Sequence, residues 1–153
     1  MNPNGPSNGV DPIFCAHLLR PVDEELISLL GSLAPDEWGT QTIAPRWKVR
    51  DVAAHLLDTQ LRKLSMVRAS WYVEAVDARS PEEVTAVVNR LNREGVTVYG
   101  RLSPAVLIDL LKVSGQQSAR FHESLDPLAP AVFNVRWAGD ATSANWFDTP
   151  LAS

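Results

Sequence analysis

Apolar residues recur at spacings of three and four along most of the chain, the mark of helices with one buried face. Leu18, Leu19, Val22, Leu26, Leu29, Leu30 and Leu33 predict a helix over about 13–32. Pro21 lies inside it; lacking an amide hydrogen, it should kink the helix or restart it. A second helix is predicted over 48–77, on a stripe of Val49, Val52, Ala53, Leu56, Leu64 and Val67. Two Ser-Pro pairs then mark helix starts, with serine as cap and proline in the first turn. Ser80-Pro81 opens a helix over 81–94, which Gly95 should weaken or end. Ser103-Pro104 opens one over 104–125, with Val106, Leu107, Leu110, Leu111, Val113, Phe121 and Leu125 as its stripe. Pro35, Gly39 and Pro45 break the chain between the first two helices. Beyond 125 the pattern is short, aromatic and turn-rich, and only "AVFNVRW" (131–137) reads as a possible strand. The fold class is all-α: a bundle of antiparallel helices over 13–153, one domain, behind a polar, flexible segment 1–12.

Composition narrows the partners. The chain has 153 residues, enough for one real core, and 45% hydrophobic against 21% charged residues is ordinary for a globular protein. A net charge of −4, with 14 scattered basic residues, argues against nucleic acid and anionic membranes. The single cysteine, Cys15, excludes an intrachain disulfide. No stretch reaches the roughly 20 apolar residues of a membrane span. The first dozen residues lack the charged and apolar regions of a signal peptide. A cytoplasmic location is the expectation.

The candidate chemistry sits in "WKVRDVAAHLLD", residues 47–58. On a helix, Asp51, His55 and Asp58 project from one side, beside the apolar stripe. His55 should border a cleft, next to Val52, Thr59 and Met66. An imidazole there could bind a divalent metal, with a carboxylate as second ligand or as the group that orients the ring. It could equally be a hydrogen-bonded residue at the edge of the core. Asp51 could simply complement the helix dipole. His17 and His122 read as surface residues, His122 as a cation suiting a helix C-terminus. The five tryptophans serve either core packing or the lining of a pocket.

"LRPVDEELISLLGSLAPDEW", then "APRW" and "KVRDVAAHLL", with "RLSPAVLIDLL" and "WAGDATSANWFD" further on, resemble the N-terminal, metal-binding domain of mycothiol-dependent maleylpyruvate isomerase-like proteins. That group belongs to the DinB-like four-helix-bundle superfamily. The resemblance implies that His55 is a ligand to a divalent, zinc-like metal. It implies two further ligands, one turn apart, on a last helix that follows the stretch matched by "NWFD". This chain departs from the pattern by stopping at Ser153, so the final ligand-bearing helix is expected to be absent. Lys48 also stands where Ser or Thr is common, and Gly95 where a larger side chain is natural.

Two functions follow. The first is a metal-dependent, thiol-linked isomerase or transferase, in which metal-activated mycothiol attacks a small unsaturated organic acid. The second is a non-catalytic helical module, for oligomerisation or small-molecule binding, with a degenerate metal site. A missing last helix would leave an apolar groove between the first and second helices, costly at about 25 cal/mol per Å². A homodimer or an exchanged segment should cover it, with Trp137, Trp146 and Phe147 the expected cover. His55 alone should hold no metal tightly and should hydrogen-bond water or a neighbouring carboxylate.

Overall fold

The computed structural model describes residues 14–71 and 80–126. The expectations for segment 1–12, for residues 72–77 of the second helix, for the strand at 131–137 and for the C-terminal cover lie outside the described residues.

Four α-helices carry the fold: α1 (Leu19–Ser32), α2 (Val49–Lys63), α3 (Pro81–Tyr99) and α4 (Pro104–Glu123). A 3-10 turn, Ala16–Leu18, leads into α1, and another, Glu37–Gly39, lies between α1 and α2. Among the described residues the only extended pairing is an isolated antiparallel bridge between Gln41 and Lys48. The all-α bundle is thus the architecture. α1 packs on α4, α4 on α2, and α2 on α3.

Local chemistry explains the ends. Pro21 occupies the third position of α1. The first amides of a helix have no internal acceptor, so its missing hydrogen costs nothing there. The 3-10 turn ends and the α-helix begins at this point, which is the restart reading of Pro21. Ser80 and Ser103 cap α3 and α4, their hydroxyls accepting from the amides of Glu83 and Val106.

Two predicted ends move. α2 does not continue as an α-helix beyond Lys63. It widens into a π-wound turn, Leu64–Arg68, and Ser70 then takes a left-handed conformation (φ 52°) that a helix cannot propagate. The Trp71 amide reaches back to the Ser65 carbonyl at 3.0 Å. α3, by contrast, runs through Gly95 to Tyr99. Gly95 is buried there, and a Cβ on it would lie 2.2 Å from Cγ of Asp58. The glycine is a seat for a side chain of α2, not a break.

The core is Leu30, Trp38, Ala53, Ala54, Leu57, Leu107 and Leu111. Leu57, Leu107 and Leu111 are essentially inaccessible, and burial of each contributes roughly 1.5–3 kcal/mol. On α2 the buried face has turned from the predicted stripe toward Ala54 and Leu57, because that helix is covered by both α3 and α4. On α4, Val106, Leu110 and Val113 are exposed rather than core. Leu18, at the end of the turn before α1, and Val22 and Leu29 on α1 are exposed too. Arg20 points at α4, bonding Glu123. At about 100° per residue those three lie half a turn round from Arg20, on the flank away from α4.

Candidate functional site

The site begins at the loop before α2. Gln41 donates through its side-chain amide to the carbonyls of Ala44 (2.7 Å) and Trp47 (2.9 Å). The Thr42 hydroxyl also donates to the Trp47 carbonyl, at 2.7 Å. Trp47 is thereby fixed one residue before the cap of α2. Lysine has no acceptor for a helix amide. Asp51 compensates: its carboxylate accepts from the Lys48 amide at 2.9 Å. Lys48 in place of serine or threonine therefore leaves the helix start intact, and Asp51 is committed to the cap.

His55 is half-buried, and its ring sits 4.7 Å from that of Trp47, tilted by 46°. Its Nδ1 is buried without a hydrogen-bond partner among the described residues. One turn along the same face, Oγ1 of Thr59 is buried and unpartnered as well. Burial lowers the His55 pKa below 6.5; the nearby Arg62 charge adds to this, and Asp58 opposes it. The imidazole is thus held neutral, the state in which histidine binds metals or shares a single proton.

The expected carboxylate neighbours do not serve His55. Asp58 is buried and accepts from Nε of Arg62 at 2.7 Å. Arg62 in turn donates to Oδ1 of Asn92 on α3, at 2.9 Å. The Asp58 side chain rests on Gly95. This seam joins α2 to α3 and keeps a cation near His55. The i,i+4 spacing of Asp58 and Arg62 is legible in the sequence; the partners Asn92 and Gly95 are not.

The remaining candidates stand apart. Cys15 and His17 are exposed before α1. His122 is half-buried rather than a surface cation. Its Nδ1 lies 2.7 Å from the Ser118 carbonyl, and burial lowers its pKa. Lys63, on α2, is strongly desolvated and its pKa is lowered by burial and by Arg62. A second polar seam links three helices: Ser114 donates to Oε1 of Gln60 at 2.5 Å, and Gln60 donates to Asp23 at 3.3 Å.

The sequence profile of the mycothiol maleylpyruvate isomerase N-terminal domain matches residues 19–151. The chain belongs to this family. No curated protein and no solved structure matches it.

In this mycothiol maleylpyruvate isomerase N-terminal domain, His55 offers a half-buried imidazole whose Nδ1 has no partner among the described residues, one donor toward a metal-ligand set. The described residues do not complete the set. Among them no three His, Cys, Asp or Glu side chains converge as a metal group would require. One imidazole beside a guanidinium is not by itself a metal site, so no chemical step is assigned to a metal here. Among the described residues no helix is long and apolar enough to cross a membrane.

Proposed function

We propose that this chain works as a small-molecule domain of the thiol-linked isomerase or transferase type, centred on His55. The observation that carries the reading is the His55 imidazole, packed on Trp47 with Nδ1 buried and unpartnered. A buried polar atom without a partner costs about 1–3 kcal/mol, a cost that folding rarely tolerates without a role. Family membership supports mycothiol as the thiol and a small organic acid as the second reactant. In this reading His55 is one ligand to a divalent, zinc-like ion, and the other ligands come from outside the described residues. The protein is taken as cytoplasmic.

A second reading is a non-catalytic binding or oligomerisation module. The pairing of Asp58 with Arg62, which removes the nearest carboxylate and leaves a cation near the imidazole, favours it. Elemental analysis of the dialysed protein separates the two. About one zinc per chain, lost in His55→Ala, supports the metal reading. Metal-free protein that still binds mycothiol, measured by calorimetry, leaves the module standing and sinks the metal reading.

The same proposal includes a homodimer that covers the exposed flank of α1. The exposed side chains of Leu18, Val22 and Leu29 would form its centre, beyond the groove between α1 and α2 expected from the sequence. Light scattering should give twice the chain mass, falling to one in a Val22→Ser/Leu29→Ser double variant. A wild-type monomer at high concentration contradicts it.

A further inference from the structure

At the far end of α2 from Trp47, a shallow cleft is lined by Arg68, Gln117, Arg120, Phe121 and Ser124. It lies between the π-wound turn that closes α2 and the last turns of α4. At about 1.5 Å per residue, Arg68 is roughly 20 Å along α2 from His55, so this is a separate site. We propose that the cleft binds the carboxylate of a small organic anion through Arg68 and Arg120, with the apolar body of the ligand against Phe121.

Three observations converge. Arg68 donates to Oε1 of Gln117 at 2.9 Å, which fixes its guanidinium over the face of α4 that also carries Arg120. The carboxylate nearest to Arg120 in sequence, Glu123, feels the Arg120 charge but spends its hydrogen bonds on another arginine. Glu123 accepts from both Nε (3.2 Å) and Nη2 (2.7 Å) of Arg20. Among the described residues no carboxylate bonds either Arg68 or Arg120, so their donors are available for a planar, two-oxygen partner. Phe121 supplies an apolar part of the same lining. The helix dipole explains a cation in the last turn of α4, hence Arg120 alone, but not the arrival of Arg68 from another helix. π-wound turns such as the one holding Arg68 are frequent at functional sites. The Ser124 hydroxyl donates to the Phe121 carbonyl at 2.7 Å and is not counted as a ligand group.

Both arginines are exposed, so affinity is expected to be on the order of millimolar. The test is an NMR titration of the full chain with benzoate and, separately, with inorganic phosphate. Benzoate should give saturable shifts at the amides of Gln117, Arg120 and Phe121. Affinity should fall about tenfold in Arg68→Gln and in Arg120→Gln, and should not change in Arg46→Gln, an exposed arginine in the loop before α2. Both cleft variants alter exposed side chains, and unchanged shifts elsewhere verify their fold. Absence of saturable shifts overturns the site. So does an equal loss in Arg46→Gln, which would mean that net charge alone is read. Phosphate binding as tightly as benzoate overturns the carboxylate-with-apolar-body assignment.

Discussion

Two aspartates are seated on glycines of a neighbouring helix, and they fare differently. Asp58 of α2 rests on Gly95 of α3, and Asp23 of α1 rests on Gly115 of α4. Asp58 is buried and bonded to Arg62, so its charge is matched where it sits. Asp23 is half-buried, and its hydrogen-bond partner across the seam is the neutral amide of Gln60. Burial therefore raises its pKa above 3.8, and the bond from Gln60 only partly offsets this. A glycine on a helix face can admit a carboxylate between two helices. Where no cation comes with it, burial makes the carboxylate hold its proton to a higher pH.

The largest effect should come from closing the first seat. In Gly95→Ala the new methyl would meet Cγ, Oδ2 and Cβ of Asp58 at 2.2, 2.4 and 2.7 Å. Asp58 cannot withdraw without breaking its bond to Arg62. Overpacking of this kind costs about 3 kcal/mol, and the better helix propensity of alanine returns about 1. A net loss of about 2 kcal/mol in urea denaturation is expected. An unchanged midpoint would show that the seat is not tight.

Gly115→Ala should do much less. Its nearest contact is Oδ2 of Asp23 at 2.6 Å, the free end of a half-exposed side chain that can swing toward solvent. The gain in helix propensity then roughly balances the strain, and stability should stay within about 0.5 kcal/mol of the parent. A loss as large as that of Gly95→Ala would erase the contrast between the seats.

The smallest effect is a pH slope. The folded chain holds the Asp23 proton to a higher pH than the unfolded chain does. Asp23 therefore favours folding at low pH, and this contribution is lost as pH rises from 3.8 through its raised value. Asp23→Asn removes that slope and keeps the shape. Comparing the two proteins from about pH 3 to about pH 7 cancels the other carboxylates. The variant should gain stability relative to the parent as pH rises; a constant difference would mean that Asp23 titrates normally.

The same contrast explains what the sequence made legible. Ser80-Pro81 and Ser103-Pro104 announce α3 and α4 because a cap acts over three or four residues. His55 stands out because a histidine on a helix flank is a local anomaly, and the family motif runs through it. Gly95 misleads for the opposite reason. Alone it looks like a weak point, and only Asp58, brought up by folding, gives it a purpose. The stop of α2 at Lys63 is hidden too, since a π-wound turn and a left-handed Ser70 leave no glycine or proline to read. The buried face of α2 departs from the predicted stripe because two helices cover it, while a single stripe assumes one. Arg62 joins the site only through folding, by its bond to Asn92, while Thr59, expected beside His55, proves to hold a buried hydroxyl without a partner among the described residues.

The loop that carries Trp47 has a kinetic consequence. Gln41 and Thr42 tie it to itself through bonds of 2.7–2.9 Å, and the Val49 amide ties back to the Thr40 carbonyl at 3.0 Å. The wall beside His55 is therefore assembled during folding, before any ligand arrives. A visitor to this face need not wait for a segment to close, nor spend its own affinity on ordering one. Its association rate should track encounter and orientation alone, and differences among ligands should appear in how long they stay.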